Sequence, residues 1–331
     1  MAPDAFPLVR RVGRLYVLVL PFCIAVRLWR RRDAEVILFH SYCGWVFSLF
    51  KRRRKMITSF HGLEPFYYDE LRTVERAAGR DLSLRFRVMF GWIMPRLLRL
   101  TCRRSDRVIC QTREEEQYLL DHGWTTRGKL TRLGSGVSQM FFVEDRAYAP
   151  RARRVLLVAQ WQERKGVRYL IEAWTTLVRA GLDLELVCAG TRHPDAHVLG
   201  AFPEDVRSRV RNIAEIAHDA LPAVYRHADI FVHPSVMEGS SQAQVEAMAS
   251  ALPMVVTATA PAIDLLKDGE GFLLVPKRDA ASLAQAIRTL IDDPELRARL
   301  GRTAQQAARG ATMEITNDTY IALFRALATS A

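Results

Sequence analysis

Closely spaced cysteines are missing from this chain. Its five, Cys23, Cys43, Cys102, Cys110 and Cys188, form no C-x-x-C pair and have no histidine-rich neighbourhood. That excludes a zinc-ribbon or disulfide-framework protein and points to reduced thiols in a cytoplasmic setting. Also absent is an apolar run of the ~20 residues that a spanning helix needs. The nearest candidate, Leu15 to Val26, is interrupted by Pro21 and closed by Arg14, Arg27 and Arg30 to Arg32. A signal peptide would need small residues where Arg-Leu-Trp-Arg-Arg-Arg stands. The segment is expected to be a crossover helix packed on a sheet, with a membrane-surface helix as the alternative. No internal repeat or low-complexity stretch occurs.

Negative charge is scarce in one half only. The chain has 331 residues, 49% hydrophobic and 25% charged, with a net charge of +12. Residues 1–150 hold 27 Lys and Arg against 15 Asp and Glu, whereas the remainder balances at 21 against 21. The length suits two α/β domains. The asymmetry implies an anionic partner met by the N-terminal half, either a membrane surface or a phosphate-bearing acceptor; a solvated basic face is the plain alternative. The run Lys51 to Lys55 lacks interleaved aromatic residues, so nucleic acid is not expected as a partner.

The pattern of short apolar runs is that of parallel strands. Glu35 to Phe39 before His40, Met56 to Phe60 before His61, and Arg107 to Cys110 each read as a strand with a loop at its carboxyl end, where open α/β sheets bind ligands. The polar stretch Val143 to Arg154, carrying Pro150, reads as an interdomain segment, giving domains at 1–145 and 150–331. Beyond it, Val155 to Val158, Leu184 to Ala189, Ile230 to Val232, Met254 to Thr257 and Phe272 to Val275 read as further strands. Val167, Leu170, Ile171, Trp174, Leu177 and Val178 form a helical stripe, and Ala280 to Leu290 reads as a helix.

What the sequence has in place of metal and thiol chemistry is two glutamates around a helix start. Glu238-Gly-Ser-Ser-Gln-Ala-Gln-Val-Glu246 follows the strand-like Asp229 to Pro234, and Val245, Met248, Ala249 and Leu252 mark one apolar helical face. Gly239, Ser240 and Ser241 fall at the loop-to-helix junction, where backbone N–H groups and the helix dipole favour an anion. Glu238 precedes the helix, and Glu246 is expected about two turns inside it, bordering the apolar face. Carboxylates accept hydrogen bonds from vicinal hydroxyls, so the constellation suits a sugar nucleotide. Lys165-Gly166 stands at the same kind of junction after the Val155 strand, where a lysine reaches a diphosphate as a point charge.

Pro234-Ser-Val-Met-Glu-Gly-Ser-Ser through Glu246-Ala-Met-Ala and Leu252-Pro-Met-Val-Val resembles the E-x7-E signature of retaining glycosyltransferases of family 4, the "group 1" class, and extends over the chain from about Glu35 onward. The resemblance implies a GT-B fold: two Rossmann-like domains facing across a cleft. It also implies transfer of a sugar from a UDP- or GDP-sugar, itself a substrate and not a cofactor, with retention of configuration. The acceptor would be lipid-linked or a polysaccharide, and the protein a metal-independent hexosyltransferase of the cytoplasm, peripheral on the inner membrane face. No metal is required by anything visible, since Asp-x-Asp is absent.

Carried over residue by residue, the resemblance gives Glu246 the ribose hydroxyls, Glu238 the donor sugar and Lys165 the diphosphate, with Gln242 beside Gly239, Ser240 and Ser241 in the donor site. Thr58-Ser-Phe-His61-Gly matches the family's N-domain histidine segment. The expected diphosphate arginine falls on Gln160, which carries no charge, and Arg164 is the candidate to compensate. Ser105-Asp106 and Ser135-Gly136-Val137-Ser138 match fold markers, and Asp264 stands where a glutamate is usual. The family's first strand and glycine-rich loop are not found before Val36, where only Gly13 occurs. Three alternatives stay open: a minimal domain, an internal start, or a partner subunit that completes the site. A scaffold of a glycan-assembly complex that has lost turnover is the second functional reading.

Overall fold

A computed structural model of the chain describes residues 16–31, 34–77, 79, 81–259 and 261–329. The chain divides into two compact units. One comprises residues 1–75, 80–133 and 317–331, the other 76–79 and 134–316.

The first unit is built on a parallel sheet of β1 (Val36–His40), β2 (Lys55–Ser59), β3 (Arg107–Cys110) and β4 (Leu130–Arg132), in that order. A parallel sheet needs cover on both faces, and alternation along β2 supplies it. Met56 packs with Phe39 and Phe47 on one side, and the next residue, Ile57, joins Ile109 and Leu327 on the other. Phe60, Leu98, Val108 and Trp124 fill a third cluster. The helix Tyr16–Arg30 lays Ile24, Ala25 and Leu28 on the Met56 side, as the packed-helix expectation has it, but extends beyond Val26 to Arg30. Leu15 and Gly13 lie outside the described residues.

The second unit carries a six-stranded parallel sheet in the order β10-β9-β8-β5-β6-β7. Its strands are β5 (Arg154–Val158), β6 (Glu185–Ala189), β7 (Val210–Ile213), β8 (Ile230–His233), β9 (Met254–Thr257) and β10 (Phe272–Val275). From β5 the sheet grows one way through β6 and β7, then resumes on the other side with β8, β9 and β10. The junction of β5 and β8 is therefore a topological switch point, where a crevice opens at the strands' carboxyl ends.

The compact units divide between Leu133 and Gly134, ahead of the polar segment Val143 to Arg154 at which the sequence reading places its domain division. Much of that segment is held by the second unit: Arg146 Nη1 donates to Ser250 O at 2.9 Å, and Tyr148 Oη to Ala251 O at 2.8 Å. Residues 317–331 return to the first unit, where Tyr320, Leu323 and Phe324 pack on Ile57 and Ile109.

Candidate active site

The loops after β5 and β8 are pressed together by a glycine. After β5 the chain makes one tight turn, Glu163–Lys165, and Gly166 then takes a left-handed conformation at φ 72° before the helix Val167–Arg179. A Cβ on Gly166 would collide with the Pro234 carbonyl, so the second loop lies where only glycine admits it. Val236 N donates to Arg164 O at 2.9 Å and fixes the register of the two loops.

This contact brings Lys165 to Glu238. The Lys165 ammonium donates to Glu238 Oε2, and Arg164 Nη1 stands 3.7 Å from Oε1. The pair is nearly enclosed, the side chains being 12% and 11% exposed. His233, the fully buried last residue of β8, places Nε2 3.5 Å from Oε2. Burial pushes the Glu238 carboxyl up, but the His233 ring and the Lys165 ammonium outweigh it and hold it at about 2. Burial also lowers Lys165, against the pull of Glu238, and lowers His233. Glu238 is therefore a fixed anion in a cationic setting.

Gln160 is joined to this cluster through a relay. Gln162 Nε2 donates to Gln160 Oε1 at 2.8 Å, and Arg164 Nε donates to Gln162 Oε1 at 3.0 Å. The arginine expected at Gln160 is thus absent, while a guanidinium two positions beyond Gln162 is held in the same loop.

Ser241 is the N-cap of the helix Gln242–Ala249, and Gly239 and Ser240 lead into it. Ser135 N donates to Ser240 Oγ at 3.4 Å, and Gln242 Nε2 to Gly136 O at 3.0 Å, so Ser135 to Val137 belong to this site's frame. Glu246 is the fifth residue of the helix, little more than one turn inside it and not two. Nor does it border the apolar face as expected: it is 3% exposed. The fully buried Tyr225, from the helix Leu221–His227, donates its hydroxyl to Glu246 Oε2 at 2.8 Å. Burial raises this carboxyl to about 7 despite the bonds from Tyr225 and Gln242.

Gln160, Arg164, Lys165, Glu238, Gly239, Ser240, Ser241, Gln242 and Glu246 all belong to the second unit; His61 belongs to the first. There His61 follows β2, stacks on His40 with ring centroids 4.8 Å apart, and has Nδ1 3.2 Å from Gln111 Nε2. Buried Glu115 ties this loop to the next by accepting from Leu63 N at 2.7 Å and Gln111 N at 2.9 Å, while completing a capping box with Thr112. Asp106 accepts from Lys51 Nζ at 2.6 Å and Met56 N at 2.8 Å. Sequence reasoning passed over His233, Tyr225, Glu115 and Gln244. The last bridges Thr259 Oγ1 and Ala262 N, both at 3.0 Å, and so holds the start of the one-turn helix Ala262–Leu265 that carries Asp264. The signal for His233 was its place at a strand end, the position His40 also occupies.

Known proteins match both halves. Residues 3–139 match the family model described as Glycosyltransferase Family 4, and residues 152–293 that described as Glycosyl transferases group 1. The alpha-D-kanosaminyltransferase of Streptomyces kanamyceticus is 33% identical over 153 residues, 45% of this chain and 39% of that protein. The chain spans between about two fifths and three fifths of the length of the first curated relatives it matches. Among solved structures, the sucrose-phosphate synthase of Thermosynechococcus elongatus superposes with a TM-score of 0.78 at 22% identity, over 96% of this chain and 80% of that one. Anabaena HepE in complex with UDP-glucose gives 0.68 at 16% identity, over 97% and 84%. The chain thus has the GT-B fold, and its two halves are similar to the family 4 and group 1 glycosyltransferase models.

Proposed function

We propose that the protein transfers a sugar from a UDP- or GDP-sugar to a lipid-linked or polysaccharide acceptor, with retention of anomeric configuration and without a metal. The observation that carries this reading is the Lys165, Arg164, Glu238 and His233 cluster at the switch point, with Glu246 in the helix that leaves it. HepE, which shares the fold, binds UDP-glucose.

In the transfer, negative charge grows on the departing diphosphate. Lys165, Arg164 and the N–H groups that open the Gln242–Ala249 helix oppose it from fixed positions, which is where electrostatic stabilisation acts most strongly. Glu238, ionised and held by Lys165 and His233, accepts from hydroxyls of the donor sugar. Glu246 accepts from the ribose hydroxyls, and His61 lines the acceptor side. Retention is assigned to attack on the face the diphosphate leaves, as the resemblance implies, and not to a carboxylate nucleophile of the glycosidase kind. The N-terminal half, with its positive excess, meets the acceptor at the cytoplasmic membrane face.

A thermal-shift screen against UDP-, GDP- and ADP-sugars tests the donor, because a bound ligand raises the melting temperature by mass action. Transfer or slow hydrolysis of the same donor, with the anomer of the product read by NMR, tests the reaction. A melting shift without turnover would favour the scaffold reading, which Gln160 in the arginine position supports. No shift with any sugar nucleotide would overturn the donor site.

A further inference from the structure

Three polar side chains meet at the carboxyl end of the first unit's sheet, one from each of three neighbouring strands. His40 is the last residue of β1, and Gln111 follows β3 directly. His61 arrives between them because pairing continues one residue past β2, where Phe60 N donates to Ile109 O at 3.0 Å. Gly62 then turns the chain at φ 126°, a conformation that glycine adopts without strain, and buried Leu63 anchors the loop. The fully buried Glu115 accepts from Leu63 N at 2.7 Å, Gln111 N at 2.9 Å and Thr112 N at 3.3 Å. Three charge-assisted bonds on one carboxylate thus set the spacing between the loop that carries His61 and the loop that carries Gln111.

Within that frame the His61 ring is fixed from two directions. His40 stacks on its face, with 4.8 Å between centroids and 28° between planes, and Gln111 Nε2 lies 3.2 Å from its Nδ1. An amide nitrogen can only donate, so Nδ1 accepts, and the proton of the neutral ring belongs on Nε2. Nε2 is then a donor on an exposed ring, at the end of the sheet where open α/β folds bind ligands. We propose that Gln111 is a positioning residue which, together with His40, holds His61 as a hydrogen-bond donor whose Nε2–H meets a hydroxyl oxygen of the acceptor. Gln111 chooses which nitrogen carries the proton, and His40 fixes the plane in which that N–H can point. The role in transfer rests on the reading of His61 given above, whereas the tautomer rests on the geometry of the first unit alone.

The test uses the full chain with isotope-labelled histidine. Long-range proton–nitrogen correlation spectra distinguish the two neutral tautomers of an imidazole, and the signals lost in His61→Asn assign this ring among the eight histidines. At mildly alkaline pH, where an imidazole is ordinarily neutral, His61 should carry its proton on Nε2. Gln111→Glu replaces the amide by a group that only accepts, so the proton should move to Nδ1. In a transfer assay the same substitution should lower kcat/KM for the acceptor about tenfold, the effect of one hydrogen bond turned from donor to acceptor. In the His61→Asn background it should cost little more, because a residue that acts through His61 has nothing left to act on. His40→Ala should lower turnover, and His40→Phe, which restores a ring at that face, should recover it. Donor-induced melting shifts should persist in every variant. A wild-type proton on Nδ1, a tautomer unmoved by Gln111→Glu, or an equal loss of turnover with and without His61 would overturn the proposal. The expected tautomers without turnover on any sugar nucleotide would overturn the transferase reading, and with it the acceptor's part in this proposal, but not the control of His61 by Gln111.

Discussion

Glu238 and Glu246 open and close one short motif, yet their carboxyls are driven in opposite directions, to about 2 and about 7. The cause is what shares each one's burial: an ammonium and an imidazole for Glu238, a neutral phenol for Glu246. A raised carboxyl pKa means that the folded chain holds its proton more tightly than the unfolded chain does. Glu246 therefore contributes stability below pH 4.5 that is lost as pH rises toward about 7, on the order of 3 kcal/mol over that window. Glu246→Gln keeps an acceptor for Tyr225 and removes the ionisation, so urea midpoints measured from pH 4.5 to 8 should lose that slope. On the proposed reading, in which the ribose diol binds this carboxylate, donor affinity should fall in the same variant. Glu246→Ala, which leaves the buried Tyr225 hydroxyl only the Ala243 carbonyl at 3.3 Å, should also destabilise the fold by about 1–3 kcal/mol. Glu238 acts with the opposite sign: its stability is present above pH 4.5 and lost as pH falls toward about 2. Lys165→Ala removes the counter-ion of an enclosed carboxylate and should cost about 3–5 kcal/mol of stability along with turnover. Lys165→Arg restores the charge, so recovered stability with turnover still depressed would show that the ammonium acts on the diphosphate. Gln160→Arg, which adds a cation to the relay ending at Arg164, should leave turnover equal or higher in a donor assay.

Between elements, the decisive contact is the one between Gly166 and Pro234. Gly166→Ala must accept both a left-handed φ and a Cβ against the Pro234 carbonyl, and should cost more than about 1–3 kcal/mol. Because the same contact delivers Lys165 to Glu238, donor affinity measured by calorimetry should fall in a variant still folded at low temperature. This element-level geometry also marks where the sequence ceases to be legible. β1, β3 and β8 to β10 are readable from short apolar runs, since strands covered on both faces carry little else, whereas β2 offers only Met56 and Ile57 before the buried Thr58 and Ser59. Edge strand β4 spans only Leu130–Arg132, and edge strand β7 reads Val-Arg-Asn-Ile with exposed Arg211; neither has the run of apolar residues that betrays a buried strand. Lys165 and Glu238 are legible singly, as a lysine and a glutamate in loops that follow strands. Their pairing is not, because it depends on a glycine and a proline carbonyl distant in sequence. Glu246 reads as a helix residue at the edge of an apolar stripe; that Tyr225, from another helix, covers it is a tertiary fact with no local signature.

At the scale of the whole molecule, the first unit is not a contiguous piece of chain. Its sheet needs an apolar layer on each face, and on one face that layer comes from the end of the helix Met313–Ala328. There Tyr320, Leu323, Phe324 and Leu327 meet Val36, Leu38, Ile57 and Ile109. Tyr320 Oη also lies 3.2 Å from Ser59 Oγ at the end of β2. The apolar spacing of this last helix announces an amphipathic segment but not the sheet it covers, so the return of the chain's end to the first unit is not legible in the sequence. The consequence is specific. A chain ending at Thr316 keeps the whole six-stranded sheet and the Val137–Thr312 bridge beside it, but uncovers Ile57 and Ile109. Hydrogen exchange on that shortened chain should find the amides of β2 and β3 unprotected while those of β5 and β8 remain slow, with a melting shift by the donor retained. The full-length double variant Tyr320→Ser, Phe324→Ser should show the same pattern in milder form, with protection lost first in β2 and β3. Equal protection of both sheets in the shortened chain would mean that residues 1–133 fold by themselves and that the last helix is not needed to complete their core.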